Sequence, residues 1–166
     1  MHKIFWMAIG LAGTILLAET PATTPFKAPL KQAKAQPVLT DPAYNLPIKK
    51  SSKFLCEATL KNGHTVYFVS VKSLMMVYLH QDYFLKRALI EDALKTLYVH
   101  DYLSGKKVDA HKAVYVFGSR LIGPHGDDLI PLSSPERAKL FELKYGGHKV
   151  LSFDRIDQGL IRYLDM

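Results

Sequence analysis

The alternation of hydrophobic and polar residues becomes regular near residue 54. In "FLCEATL" every second residue is apolar, which predicts a half-buried strand. The residues on its inner face are Phe54, Cys56, Ala58 and Leu60. The Asn-Gly pair in "KNGH" is typical of a hairpin turn, because it tolerates the positive φ that such turns need. The β-branched and aromatic run "TVYFV" then predicts the second strand of a hairpin.

A helix and a third strand should follow this hairpin. Ser70 is a typical N-cap, and the apolar spacing after it predicts a helix. Its inward-facing side chains should be Leu74, Val77 and Tyr78, with Tyr83 beyond them. A second helical segment is expected in "DYFLKRALIEDALK", and "TLYVHDY" has the composition of a strand.

The same order of elements returns in the second half of the chain. "KAVYVFGS" predicts a strand, "GPHGDD" a turn, and "LIPLS" a second strand, in which Pro131 favours an edge position. Ser134 as N-cap and Pro135 at the first helical position begin a helix through "ERAKLFELKY", which Gly146 or Gly147 should end. "HKVLSFDRI" predicts the returning strand, and "DQGLIRYLD" a closing helix.

The repeated order predicts an α+β fold built from two ββαβ units, at about residues 54–103 and 112–166. Each unit alone is too small to bury a stable core, so we expect the two to pack together. Residues 51–166 would then form one domain.

Two segments precede this domain. Residues 1–18 hold an uncharged apolar run that is shorter than the roughly 20 residues of a membrane span, which predicts a secretory signal peptide. If that signal were not cleaved, it would anchor the chain. Residues 19–50 are rich in proline and lysine and have no apolar period, which indicates an extended linker. Its lysines would make at most a weak, salt-sensitive contact with an anionic membrane surface.

Charge and composition exclude several classes of function. The net charge is +7, but from residue 54 onward 15 Lys and Arg face 13 Asp and Glu, so the domain is nearly neutral. Nucleic-acid binding therefore has no support. Cys56 is the only cysteine, which excludes an internal disulfide. The chain has no nucleophile elbow, phosphate loop or HExxH motif, so we do not expect an enzyme.

Several stretches resemble the NosL family of periplasmic, copper-binding accessory proteins associated with nitrous oxide reductase. They are "LKNGHTVYFVSVKSLMMVYL", "VHDYLSGKKVDAHKAVYVFGS", "GPHGDDLIP" and the helix ended by "GG", within roughly residues 54–164. The resemblance implies a tandem of two ββαβ units, copper as Cu(I) or Cu(II), and a copper enzyme or its assembly machinery as partner. It also implies a periplasmic location.

The chain departs from the family at two places. Where the family carries a Cys-x-x-Cys-Gly-Met stretch, this chain has "DPAYNLPIKKSSK", without cysteine or methionine. Where the family loop reads Gly-Pro-Met-Gly, the matching position holds His125. Thioether suits Cu(I), whereas imidazole also suits Cu(II) and Zn(II), so the metal preference is expected to differ.

Four residues are candidate metal ligands: His125, Met75, Met76 and Cys56. The glycines beside His125 expose its imidazole, and Asp127 or Asp128 is expected to orient the ring. Because loop-tip side chains contribute little, its truncation should change stability by less than about 0.5 kcal/mol. The two methionines also fit core packing, and Cys56 also fits an inert buried thiol.

The sequence therefore predicts an exported metal-handling accessory protein with altered ligands. The alternative is a metal-free protein-interaction module of the same fold.

The signal peptide has a direct test. Because the apolar run is short and ends in small residues, the mature protein should begin near Glu19 or Thr23 and be recovered in the periplasm. N-terminal sequencing checks this. A chain that begins at Met1 and sediments with membranes would contradict it.

Overall fold

Two antiparallel sheets run through residues 39–166, the part of the chain that the structure, a computed structural model, describes. The strands are β1 (Cys56–Leu60), β2 (Thr65–Phe68), β3 (Leu94–His100), β4 (Lys107–Asp109), β5 (Val114–Phe117), β6 (Ile130–Leu132) and β7 (Lys149–Ser152). The helices are α1 (Val71–Leu79), α2 (Gln81–Lys86), α3 (Pro135–Tyr145) and α4 (Gln158–Leu164). Of the described helices, none has the length and apolar character needed to cross a membrane. The predicted signal peptide lies outside the described residues.

Both sheets share one topology, and the predicted α+β fold is confirmed. The strand order is β2-β1-β3-β4 in the first sheet and β6-β5-β7 in the second. In each, the first strand of the hairpin is central, flanked by its hairpin partner and by the strand that follows the helix. The short strand β4, which the sequence pattern did not predict, extends the edge of the first sheet.

The first sheet is covered on one face. Cys56, Ala58 and Leu60 of β1 are buried, as their alternation predicted, and the first two lie in a core that the two units share. Phe54, predicted on the same face, precedes β1 and packs instead against a separate apolar cluster. Between Cys56 and Ala58, Glu57 points to the other face, where its carboxylate lies 2.9 Å from the ammonium of Lys107. One polar face and one apolar face produce the period of two that is visible in the sequence.

The central strand of the second sheet is buried on both faces. Tyr115 packs into the shared core, whereas its neighbour Val116 belongs to a second apolar cluster with Phe141 of α3. Strand β6 lies at the sheet edge, as Pro131 predicted. The Pro131 carbonyl accepts a hydrogen bond of 3.0 Å from the Tyr102 amide, which joins this edge to the end of β3.

A buried carboxylate links the two units. Asp101, at the end of β3, accepts hydrogen bonds from Arg137 Nε at 2.7 Å and Arg137 Nη2 at 3.0 Å, where α3 begins. Ser133 and Ser104 donate to the same carboxylate. Burial alone would raise the pKa of Asp101, but these donors hold the pKa well below its usual range. Asp101 is therefore charged, and its charge couples the first sheet to α3.

The helical region after α1 differs from the prediction. The second helix ends at Lys86, and Ala88 adopts a positive φ of 54°, so the segment turns back well before β3. Tyr78 is 39% exposed and Tyr83 is 49% exposed, so the prediction that both face inward is wrong. The helical phase breaks at His80, between the two helices, which turns Tyr83 toward solvent. Tyr78 precedes the break, and its partly exposed ring packs edge-on against Phe153.

Residues 39–50, whose composition suggested linker, pack against the domain. Asp41 is buried, and its carboxylate accepts hydrogen bonds from the Val69 amide at 2.9 Å and from the Ser73 hydroxyl. Thr40 pairs with Pro47 in an isolated β-bridge. These contacts place the segment beside the start of α1.

The position of Cys56 predicts an inert thiol. Its side chain is 0% exposed, and burial raises its pKa, which disfavours the reactive thiolate. Thiol reagents should therefore label it only after unfolding, and Cys56→Ser should cost about 1–3 kcal/mol because it buries a poorly bonded hydroxyl. Labelling kinetics with and without urea, and urea titration of the variant, check this. Rapid labelling of the native protein would contradict a core position.

Candidate metal-binding loop

The loop between β5 and β6 closes on itself around His125. The Gly123 amide donates a 2.7 Å hydrogen bond to the Gly126 carbonyl, and Gly126 has a φ of +79°, which glycine adopts without strain. Pro124 restricts the backbone just before the histidine. The imidazole at the tip remains 46% exposed. The loop thus presents one imidazole on a short, constrained turn.

Two residues from distant parts of the chain contact this imidazole. The Tyr44 ring stacks on it, with ring centroids 3.9 Å apart and an interplanar angle of 16°. Asp165 Oδ1 lies 3.6 Å from His125 Nδ1 and accepts a 2.9 Å hydrogen bond from the Tyr44 hydroxyl. Burial and this hydrogen bond raise the pKa of Tyr44, so its hydroxyl stays protonated and donates. Stacked aromatic pairs contribute about 0.5–1.5 kcal/mol. Truncation of His125 should therefore lower the free energy of unfolding by more than truncation of a loop-tip side chain without such a contact.

A buried lysine holds the loop from beneath. Lys72, in the first turn of α1, is 1% exposed. Its ammonium donates to the His125 carbonyl at 2.5 Å and to the Leu164 carbonyl at 2.9 Å, and it lies 3.5 Å from Asp165 Oδ1. The same ammonium lies 5.5 Å from the centre of the Tyr44 ring. One cation therefore joins α1, the loop and the end of α4.

The aspartates that follow the loop do not orient the imidazole. Asp128 is buried and turned toward α1, where it accepts a 2.9 Å hydrogen bond from the Lys72 amide. Its Oδ2 makes no hydrogen bond of good geometry to any described residue, although the Ser70 side chain lies nearby. Burial raises the pKa of Asp128 to about 6, against the hydrogen bonds that favour its charged form. Asp127 is exposed, and Asp165 is the acid beside the imidazole.

Comparison with known proteins identifies the family. A model of the NosL family matches residues 44–161, which is most of the chain. The chain belongs to the NosL family. The crystal structure of the copper chaperone NosL from Shewanella denitrificans has 24% identity and a TM-score of 0.59, and the match covers 79% of this chain and 99% of that one, which shows a common fold.

A second NosL structure is similar at a lower level. The solution structure of apo-NosL from Achromobacter cycloclastes has 22% identity and a TM-score of 0.44, over 64% of this chain and 87% of that one. No curated protein matched the chain.

The other candidate ligands of this NosL protein lie in different surroundings from His125. Cys56 is 0% exposed and Met75 1% exposed, both within the shared core. The Cys56 sulfur donates to the Phe54 carbonyl at 3.4 Å. Met76 is half-buried at the edge of that core. Within residues 39–166, no three or more His, Cys, Asp and Glu side chains are grouped so that they could hold a metal ion.

Sequence reasoning missed the three residues that surround His125. Lys72 carried one signal, because a lysine in the first turn of an apolar helix is disfavoured by the helix dipole and so needs a specific partner. Tyr44 and Asp165 carried none, since the first lies in a proline-rich stretch and the second follows an ordinary amphipathic helix.

The contacts of Lys72 predict that it stabilises the loop. Lys72→Met keeps the volume but leaves the carbonyls of His125 and Leu164 without their donor, so the free energy of unfolding should fall by about 1–3 kcal/mol. Amide hydrogen exchange at Gly123, whose N–H donates to the Gly126 carbonyl, should also accelerate. Urea unfolding and exchange measurements check both, with the exposed Lys139→Met of α3 as the matched control. A Lys72→Met variant as stable as wild type, with unchanged exchange, would show that the ammonium does not hold the loop.

Proposed function

We propose that this NosL protein carries copper as cargo in the periplasm and passes it by ligand exchange, without catalysis. The recipient would be a copper enzyme or its assembly machinery, and the family resemblance points to nitrous oxide reductase. The observation that carries the proposal is the half-exposed imidazole of His125, held in place by the Tyr44 ring and by Lys72 beneath the loop. Imidazole binds copper in both common oxidation states.

Several side chains beside His125 support the proposal. The depression beside the loop is also lined by Met166, whose side chain is exposed, and by the carboxylates of Asp127 and Asp165. A thioether is a soft donor that favours Cu(I), and carboxylates balance positive charge. Donors on an open surface allow an incoming protein to replace them one at a time, as cargo transfer requires.

A metal-free interaction module is the second candidate, favoured by an apolar strip on α3. Leu140 is 59% exposed and Leu143 84% exposed, so both side chains project from the surface. Exposed apolar groups on one helix are typical of surfaces that contact another protein. In this alternative the fold would bind its partner without copper.

Metal titration separates the two candidates. The full-length mature protein is titrated with Cu(I), Cu(II) and Zn(II) in a calorimeter, as wild type and as His125→Ala. Loss of the imidazole should weaken copper binding by at least about tenfold, which corresponds to about 1.4 kcal/mol. His125→Met should shift the preference toward Cu(I), because a thioether is the softer donor.

His64→Ala is the matched control for this titration. His64 is also an exposed imidazole with an acidic neighbour, since its Nδ1 lies 2.6 Å from Glu91 Oε2, but it is on the hairpin turn of the first unit. Its loss should leave copper binding unchanged. Equal affinity in wild type and His125→Ala would remove His125 from the site, and failure to bind any of the three metals would favour the interaction module.

A further inference from the structure

We propose that Asp165 and Tyr44 form a positioning pair that makes Nε2 of His125 the copper-binding nitrogen. The proposal rests on the copper-carrying function put forward above and adds how the ligand atom is selected. The contacts that select the coordinating nitrogen of His125 exist in the protein without metal, so the proposal can be tested there first.

The position of the Asp165 carboxylate assigns the two ring nitrogens. Asp165 Oδ1 lies 3.6 Å from Nδ1 of His125, so Nδ1 is the nitrogen that faces the acid. The two atoms are too far apart for a hydrogen bond, but the negative carboxylate attracts an N–H and repels a lone pair, and in a neutral imidazole only one of the two nitrogens carries the proton. The proton is therefore favoured on Nδ1, which leaves the lone pair on Nε2. Carboxylate–histidine–metal arrangements fix the tautomer and the orientation of the ring in this way.

Tyr44 fixes both partners of this contact. Its ring lies against one face of the imidazole, which sets the plane of the His125 ring. Its hydroxyl donates a 2.9 Å hydrogen bond to the same Asp165 oxygen that faces Nδ1. A rotation of Asp165 away from His125 would break this bond. Tyr44 therefore orients the acid as well as the imidazole.

Asp165 also offsets a neighbouring positive charge. The Lys72 ammonium is 3.5 Å from Asp165 Oδ1 and is bonded to the backbone of the loop. Without the carboxylate, this buried cation would repel a metal ion bound at His125, and it would do so through a region of low dielectric constant. Removal of Asp165 should therefore weaken copper binding in two ways. The His125 ring would no longer be held in the tautomer that leaves Nε2 free, and the positive charge of Lys72 would no longer be offset.

The first test needs no metal. Long-range ¹H–¹⁵N NMR spectra of the full-length, histidine-labelled protein report which ring nitrogen of His125 is protonated, and the His125→Ala spectrum identifies its signals. We expect the Nδ1–H tautomer in wild type and a return toward the Nε2–H tautomer, which imidazole favours in water, in Asp165→Ala. Asp127→Ala is the matched control, since Asp127 is an exposed acid that lines the same depression. An Nε2–H tautomer in wild type would overturn the proposal.

The second test measures copper affinity of the same variants. Asp165→Ala should weaken binding about 10–100-fold, as loss of such carboxylate partners generally does. Asp165→Glu should recover part of this loss, and Asp82→Ala, which removes an exposed acid of α2, should bind as wild type does. Tyr44→Phe keeps the stacked ring and removes only the hydroxyl, so it tests the pair even if Asp165→Ala folds poorly. It should weaken copper binding and shift the tautomer in the same direction, by less.

The outcomes separate this proposal from the function on which it rests. If His125→Ala leaves copper affinity unchanged while wild type shows the Nδ1–H tautomer, the copper function fails and the positioning contact stands. If His125→Ala abolishes binding while Asp165→Ala and Tyr44→Phe bind as wild type does, His125 is a ligand and the positioning pair is refuted.

Discussion

The fold buries the charged carboxylate of Asp101. A buried charge of this kind is stable only when all the hydrogen-bond donors around it are in place. Desolvation of an unpaired carboxylate costs several kcal/mol, so the bidentate contact with Arg137 and the hydrogen bonds from Ser133 and Ser104 act together. Because these donors come from the turn after β3 and from the start of α3, the carboxylate is satisfied only when both units are folded and docked. The position of the second sheet, and with it the loop that β5 and β6 carry, depends on this contact.

A second buried charge that needs hydrogen-bond partners lies beneath the candidate site. Lys72 is buried as a cation, and its donors are satisfied by backbone carbonyls of the loop and of α4. Backbone carbonyls do not titrate and cannot rotate away independently, so they hold the ammonium at a defined point. The helix α1 thereby fixes the position of His125 through the main chain and leaves the imidazole edge free.

The ring of His125 has neighbours from both ends of the domain. Tyr44 precedes β1 and Asp165 follows α4, yet their side chains are hydrogen-bonded to each other beside the loop. A site of this kind is complete only when the segments before and after both units are in place. The arrangement also keeps the candidate ligand His125 apart from the core, since Cys56 and Met75 are occupied with packing while the loop faces solvent.

The sequence by itself determined the elements whose causes are local. The alternation around Cys56, the N-caps Ser70 and Ser134, and the edge position of Pro131 follow from period, capping and a missing amide, and each is present in the structure. Only the tertiary structure decided that Asp165, rather than either aspartate of the loop, lies beside His125. The reason is physical: local backbone preferences act over a few residues. Which side chains far apart in the chain become neighbours depends instead on how the packed elements bring buried charges to their partners.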